Sequence, residues 1–114
     1  MNTLQLALLE ELSVAVPGEE REISSVYCAD LLSWAMGAAP ADAAWCTVMG
    51  NANTVAVASL ADVAAIILCE SAEPDASMLE KADLQGISIL CTALPAFEAG
   101  LAIARAAGLY GLPQ

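Results

Sequence analysis

Short aliphatic runs alternate with helix-like segments over the last two thirds of the chain. The run at 64–68 is the clearest, because no polar residue interrupts it. Such a run is typical of a strand that helices cover on both faces. Strands that alternate with helices are joined by right-handed crossovers and pair in parallel. The alternation predicts an α/β fold of three layers, α/β/α, around a small, mostly parallel, mixed sheet of about five strands.

Residues that start or stop regular structure set the bounds of each predicted element. The predicted strands span 12–16, 23–27, 44–48, 64–68 and 87–90. The predicted helices span 4–9, 31–36, 54 to 60 or 62, 74–84 and 95–107. Thr3 and Asp30 are the expected caps of the first two helices, and Gly37 is expected to end the second. Residues 109–114 are expected to form a loosely held tail.

The length and composition fit one small domain. A second hydrophobic core does not fit into 114 residues, so residues 1–114 are expected to fold as a single unit. Hydrophobic residues make up 59% of the chain but aromatic residues only 4%, so aliphatic side chains must fill most of the core. Small aliphatic side chains suit the close packing of helices on a sheet.

The charge of the chain excludes two classes of ligand. Three basic residues (Arg21, Lys81 and Arg105) stand against 14 acidic ones, which gives a net charge of −11. A protein that binds nucleic acid needs a basic face to neutralise phosphates, and this chain cannot form one. Anionic membrane surfaces are excluded for the same reason.

The sequence also predicts a cytoplasmic location. The most apolar stretch, 54–69, contains Asp62 and falls short of the roughly 20 apolar residues that span a membrane. The first residues include Glu10 and Glu11 and lack the basic opening of a signal peptide. The four cysteines are widely spaced and mostly lie in or after apolar runs, which favours reduced thiols over a disulfide framework.

Residues 26–33 read Val-Tyr-Cys-Ala-Asp-Leu-Leu-Ser, and further segments follow in a fixed order. These segments are 53–67, Pro74-Asp75, Lys81-Ala82, 86–92 and Phe97-Glu98. Together they resemble small stand-alone DRTGG-domain proteins over residues 3–108, and these are similar to the N-terminal domain of HPr kinase/phosphorylase. The five-letter DRTGG signature itself is absent. Ser24-Ser25 stands where such proteins often carry two glycines.

The resemblance implies a fold and a general role. The fold is the three-layer α/β arrangement of the HPr kinase N-terminal domain and of MurF. Related domains are regulatory modules attached to CBS domains or to phosphate acetyltransferases, and no reaction is assigned to the module itself. An inherited kinase label would not fit these residues, because the chain has no phosphate-binding loop of the G-x-x-x-x-G-K-[ST] type and no histidine. We therefore expect a non-catalytic protein that needs no cofactor.

The turn at 49–54 is the first candidate site. It follows a predicted strand and enters a helix, where backbone N–H groups can bind an anion beyond the carboxyl end of a sheet. Gly50 would let a ligand approach the backbone, and Asn51, Asn53 and Thr54 could donate hydrogen bonds to a nucleotide or another anion. The alternative is that these residues only cap the helix.

A second candidate site consists of Asp30, Ser33 and Trp34. Asp30 follows a strand and could bind a ribose hydroxyl or orient a partner. The alternative is that Asp30 caps its helix while Trp34 packs in the core.

Two further groups are weaker candidates for a metal or redox site. Cys28, Cys69 and Cys91 each follow a predicted strand, so the three thiols are expected along one sheet edge, although core packing explains them as well. Glu70, Glu73 and Asp75 crowd one loop and offer carboxylates to Mg²⁺ or Ca²⁺, although a solvated acidic loop is the simpler interpretation.

These observations leave four hypotheses of function; the first is favoured, and the fourth, an enzyme, fits the residues least. The first is a regulatory or adaptor domain that binds a small ligand at 49–54. The second is a protein-interaction module that acts as a homodimer or on a partner enzyme, which the apolar excess of the chain favours. The third is a redox or metal-binding protein that uses the cysteines.

Overall fold

A single five-stranded sheet organises the chain, and the computed structural model describes all 114 residues. Its strands are β1 (Ser13–Val16), β2 (Ser25–Cys28), β3 (Ala43–Thr47), β4 (Ala65–Leu68) and β5 (Ser88–Cys91). Their order across the sheet is β1-β5-β4-β3-β2. The strands β2 to β5 pair in parallel with their neighbours, and β1 pairs antiparallel with β5. The mixed, mostly parallel sheet is therefore confirmed.

Five helices cover the two faces of this sheet. They are α1 (Thr3–Leu6), α2 (Leu32–Ala38), α3 (Ala52–Ala61), α4 (Ala76–Gln85) and α5 (Ala96–Ala107). Each crossover from β2 to β5 moves one strand in the same direction, so α2, α3 and α4 lie on one face. The opposite face packs against α1 and α5, which confirms the three layers. None of the helices combines the length and apolar character that crossing a membrane requires.

Each layer of helices covers its own hydrophobic cluster. Trp45, Ile66 and Ile89 point toward α2, α3 and α4. Their chain neighbours Cys46, Ile67 and Leu90 point toward α1 and α5. All residues of β3 and β4 are buried, because both faces of these central strands are covered. This explains why their sequences are continuously apolar rather than alternating.

The ends of the later helices follow the residues that predicted them. Asp75 caps α4 by accepting a hydrogen bond from the Met78 N–H, and Pro95 is the N-cap residue of α5. Gly86 and Gly108 end these helices in the left-handed conformation, with φ of 69° at each. The predicted helices 74–84 and 95–107 therefore begin one or two residues later than expected but are otherwise confirmed.

Four predictions about the first part of the chain are wrong in detail. Gly37 does not end the second helix, because α2 continues through it to Ala38. The first helix has only 4 residues, and its cap is Asn2 rather than Thr3, because Asn2 and Gln5 exchange backbone-to-side-chain hydrogen bonds. The second strand begins at Ser25 instead of Ile23, since the Ile23 N–H bonds to the Met1 carbonyl and not to β3. The first strand begins one residue later than predicted, at Ser13.

The tail after α5 is held against the edge strand β2, although the sequence predicts a loose tail. The Tyr110 hydroxyl accepts a hydrogen bond of 2.9 Å from the Val26 N–H. The Gln114 side chain donates to the Ala106 carbonyl at 3.2 Å. Tyr110 therefore occupies a backbone group of β2 that has no strand partner on that side, which protects the edge from pairing with another chain.

A single arginine joins three loops at the amino ends of the strands. Arg21 donates to the carboxylates of Asp42 and Asp62 and also to the backbone carbonyls of Asp62 and Val63. Both aspartates adopt the left-handed conformation, with φ of 62° and 60°. One of the three basic residues of the chain is thus fully engaged in holding its own loops together.

Candidate functional site

The carboxyl ends of the parallel strands bring the two polar candidate sites to the same edge of the sheet. The loop with Asp30 leaves β2, and the turn at 49–54 leaves β3. Open α/β sheets bind ligands where neighbouring connections diverge to opposite faces. Here the crossovers from β2 to β5 all lie on one face, so this edge has no such crevice between the two loops.

Gly50 permits a close approach between two loops of the protein itself. A Cβ atom at this position would lie 2.4 Å from the Glu73 carbonyl oxygen. The Gly50 carbonyl in turn accepts a hydrogen bond of 2.9 Å from the Asp75 N–H. The space that the sequence assigned to a ligand is therefore taken by the loop that precedes α4.

The other polar residues of this turn are mostly used within it. The Asn51 side chain caps α3 by accepting from the Asn53 N–H at 3.0 Å. Thr54 is buried and donates from its hydroxyl to the Met49 carbonyl at 2.7 Å. Only the Asn53 side chain is exposed. This geometry supports the capping interpretation, and a ligand at 49–54 stays a prediction.

Asp30 does not cap α2, and that prediction is wrong. The N-cap residue is Leu31, which makes no side-chain hydrogen bond to the helix. One carboxylate oxygen of Asp30 instead accepts from the Thr47 hydroxyl and from the Val48 N–H, both at 2.9 Å. Asp30 thus fastens the loop after β2 to the end of β3.

The other two residues of this candidate site point to solvent. Ser33 is exposed, and Trp34 is 67% exposed, so the expected packing of Trp34 in the core is also wrong. The buried tryptophan is Trp45, whose indole N–H donates to the Ala29 carbonyl at 2.9 Å. Asp30, Ser33 and Trp34 therefore do not form one polar pocket.

We expect Asp30→Ala to lower the free energy of unfolding by about 1–3 kcal/mol, because the buried Thr47 hydroxyl and the Val48 N–H lose their acceptor. Asp30→Asn is the matched control, since an amide oxygen can still accept both hydrogen bonds. Urea denaturation measures both variants. Equal losses for the two would show that the charge of Asp30 matters rather than its hydrogen bonds.

Cys28, Cys69 and Cys91 all lie at the carboxyl edge of the sheet, as predicted, but they are divided between its two faces. Cys91 packs against the cluster beneath α2, α3 and α4. On the face of α5, the thiols of Cys28, Cys46 and Cys69 follow one another across β2, β3 and the residue after β4. We call these three the thiol row. Sequence reasoning missed Cys46 because it lies within a predicted strand, and the predicted bounds 23–27 and 44–48 do not place it beside Cys28, as the observed register does.

Interactions within the thiol row change the ionisation of its members. The adjacent Cys46 thiol lowers the pKa of Cys28 to about 7, while the Cys28 thiol itself donates a hydrogen bond of 3.7 Å to the Ala96 carbonyl. Hydrogen bonding to Cys28 and Cys69, together with burial, raises the pKa of Cys46. Burial alone raises the pKa of Cys91. No group of three or more cysteine, histidine or acidic side chains is arranged to hold a metal ion.

The acidic loop borders a shallow cavity of about 310 Å³. Its charged lining consists of Glu10, Glu11 and Glu73, with no basic residue. Asp75 is the cap of α4 and Glu70 adopts the left-handed conformation, so the three predicted carboxylates do not converge on one point. The cavity lacks the positive charge that a nucleotide phosphate needs.

An apolar groove of about 210 Å³ lies between β2, α5 and the tail. Its lining includes Val26, Cys28, Phe97, Gly100, Leu101 and Tyr110. Phe97 is 75% and Tyr110 is 65% exposed. We call this feature the β2 groove. No pattern in the sequence predicts the β2 groove, because Phe97 and Tyr110 are far from β2 along the chain.

No protein-family model matches this chain, and no curated protein matches it. Its assignment to the DRTGG-domain proteins thus stays a prediction.

Proposed function

We propose that this chain is a non-catalytic adaptor domain that binds another protein through the surface around the edge strand β2. One observation carries the proposal. Leu31, Trp34, Phe97 and Tyr110 are between 64% and 75% exposed. Leu31 and Trp34 belong to the start of α2 directly after β2, while Phe97 and Tyr110 border the β2 groove. These four residues and the groove are the β2 surface.

The distribution of aromatic residues supports a binding role. The chain has five aromatic side chains, and three of them, Trp34, Phe97 and Tyr110, are largely exposed on the β2 surface. If these large side chains served to fill the core, they would be buried. Tryptophan and tyrosine are enriched among the residues that dominate binding energy at protein interfaces. Exposed apolar patches on a small protein mark such interfaces, and here they flank β2, from α2 on one face of the sheet and from α5 and the tail on the other.

The charge of the chain indicates the chemistry of the partner. At a net charge of −11, a second copy of the chain would be repelled as it approached. A partner with an apolar contact area and a basic rim would be attracted instead, and it would associate faster at low salt. The predicted similarity to regulatory DRTGG domains is consistent with an adaptor that acts on a partner enzyme.

Site-specific photo-crosslinking tests this proposal in the cells that make the protein. A photoreactive phenylalanine analogue replaces Trp34 or Phe97 in the full chain. Leu60 and Leu84 are the matched control positions, because they are 72% and 78% exposed but lie near the ends of α3 and α4, which do not adjoin the edge strand β2 along the chain. We expect the same protein to be crosslinked from positions 34 and 97 and not from positions 60 and 84.

The purified partner then allows an affinity measurement. Trp34→Ala is expected to weaken binding at least tenfold while leaving the melting temperature unchanged, because Trp34 is exposed. Binding should also shield Trp34 from acrylamide quenching, whereas Trp45 is already buried. Crosslinks to a second copy of the chain would replace the proposal with a homodimer. A nucleotide that raised the melting temperature without any crosslinked partner would support the 49–54 site instead.

A further inference from the structure

The thiol row places an accessible sulfur beside a buried one in register. Cys28 and Cys46 are direct partners in the parallel pairing of β2 with β3. Both side chains lie on the α5 face of the sheet. Cys28 is exposed, whereas Cys46 is completely buried. A reagent from solvent can therefore reach Cys28 first, while Cys46 can be reached only through its neighbours.

The spacing of paired strands suits a bond between these two cysteines. Neighbouring strands are separated by about 4.8 Å. Disulfides form between residues whose Cα atoms are about 4.4–6.8 Å apart, provided that the side chains point the same way. The register of Cys28 with Cys46 and their common face satisfy the Cα spacing and the direction of the side chains, and the bond also requires the two Cβ atoms to come within about 3.5–4.5 Å of each other. Cys91 has no cysteine partner on its own face of the sheet.

We propose that Cys28 and Cys46 form a peroxide-sensitive thiol pair, in which a hydroperoxide oxidises Cys28 and Cys46 then closes a reversible disulfide between β2 and β3. This goes beyond the adaptor role and does not depend on it. Cys28 lies in the β2 groove, so oxidation changes a residue on the surface assigned to the partner.

The reaction has two steps, oxidation of Cys28 and closure of the disulfide. The Cys28 thiolate attacks one oxygen of the hydroperoxide, the O–O bond breaks, and the second oxygen leaves as water or an alcohol after taking up a proton. Cys28 is then a sulfenic acid, oxidised by two electrons. The Cys46 sulfur attacks the Cys28 sulfur, the S–O bond breaks, and the Cys46 proton leaves with the hydroxide as water. A dithiol reductant returns the two electrons and restores both thiols.

The surroundings of Cys28 favour its reaction. Its pKa of about 7 makes a substantial fraction thiolate at neutral pH, and the thiolate is the reactive form. The adjacent Cys46 thiol lowers the pKa, while partial burial and the Asp30 carboxylate raise it. The Ala96 carbonyl of α5 accepts a hydrogen bond from the Cys28 thiol at 3.7 Å. On α5, which packs over the thiol, the charged residues are Glu98 and Arg105, both exposed. Tyr110 lines the same groove from the tail.

A glycine of α5 leaves room beside the Cys28 sulfur. Gly100 is buried over β2, and a Cβ atom there would lie 3.4 Å from the Cys28 Sγ and 3.0 Å from the Val26 Cγ1. Gly100→Ala is therefore expected to slow the reaction of Cys28 severalfold by narrowing the approach. A rate equal to that of the parent chain would show that reagents reach Cys28 from another side.

Peroxide treatment of the full chain, followed by peptide mass spectrometry, tests the pair. The parent chain is expected to lose two hydrogens and to yield a peptide linked through Cys28 and Cys46, which dithiothreitol reverses. Cys46→Ser should stop at a Cys28 sulfenic acid that dimedone traps. Cys69→Ser and Cys91→Ser are the controls and should still form the bond. Linkage through Cys69 or Cys91, or Cys28 that stays reduced while other cysteines oxidise, would overturn the proposal.

The pH dependence gives an independent readout. Iodoacetamide should alkylate Cys28 with a rate that reaches half its maximum near pH 7, and Cys46→Ala should move this midpoint upward toward the ordinary value of 9.0. Because ionisation is easier in the folded chain, the stabilising contribution of Cys28 is present above pH 9 and is lost as the pH falls through 7. An unchanged midpoint in Cys46→Ala would show that Cys46 does not lower the pKa of Cys28. Circular dichroism shows whether that variant folds, and the linked peptide of the parent chain tests the pair in either case.

Discussion

Replacement of Trp45 by alanine is expected to lower the free energy of unfolding by about 3–5 kcal/mol. Trp45 is fully buried in β3, between β2 and β4, and packs in the cluster beneath α2, α3 and α4. Its removal leaves a large cavity in a core of small aliphatic residues that cannot fill it. It also leaves the Ala29 carbonyl without its donor. A loss of this size is a large share of the roughly 5–15 kcal/mol that stabilises a domain.

Chemical denaturation of Trp45→Ala and Trp34→Ala side by side measures this difference. The two residues are of one type, but Trp34 is 67% exposed and Trp45 is 0% exposed. We expect Trp34→Ala to change the stability by less than about 0.5 kcal/mol, as is usual for surface sites. Trp45→Phe separates packing from the indole hydrogen bond. Similar losses at both tryptophans would mean that Trp34 packs against the chain, which would also weaken the proposed binding role.

Replacement of Gly50 by alanine is expected to cost about 1–3 kcal/mol of stability, as is typical of overpacking. The new Cβ would lie 2.4 Å from the Glu73 carbonyl oxygen, so one of the two loops must move. That movement also strains the hydrogen bond from the Asp75 N–H to the Gly50 carbonyl, next to the cap of α4. Unlike the end of a flexible side chain, backbone atoms cannot easily yield.

Gly37→Ala is the matched control for this prediction. Gly37 lies within α2, and a Cβ atom there would meet nothing within 4 Å. Alanine is favoured over glycine in a helix by about 1 kcal/mol, so this variant should be more stable than the parent chain. Opposite changes in melting temperature are thus expected from one and the same substitution. If Gly50→Ala left stability intact and instead abolished the binding of a nucleotide, the ligand site at 49–54 would regain support.

The fold could be predicted because it depends on repeating patterns. The apolar run at 64–68 becomes β4, buried on both faces, and the residues that stop helices, Gly86 and Gly108, do so in the structure. The predicted ends of strands and helices are wrong where a hydrogen bond to a distant residue determines them. Ile23 reads as part of a strand, but its N–H bonds to Met1. Local propensity holds no information about such a partner.

The candidate sites were harder to predict, because the same side chain can serve several purposes. Aspartate is a common helix cap, yet Asp30 accepts hydrogen bonds from the Thr47 hydroxyl and the Val48 N–H at the end of β3 instead. Gly50 suggests room for a ligand, but the loop at Glu73 fills that room. The alternation of side chains along a strand decides which thiols meet. That is why Cys46, rather than Cys91, joins Cys28 and Cys69.

The antiparallel strand β1 can join the sheet only after the last strand has been synthesised. It is translated first among the strands, but its sole partner, β5, is translated last, and Ser13 pairs with Cys91. While a ribosome is still making the chain, β2, β3 and β4 can assemble with local crossovers, whereas residues 13–16 must wait for 88–91 to emerge. In a nascent chain halted before residue 88, β1 and β4 would therefore both lack their partner strand β5. Chaperones would have the longest time to bind the chain at this stage.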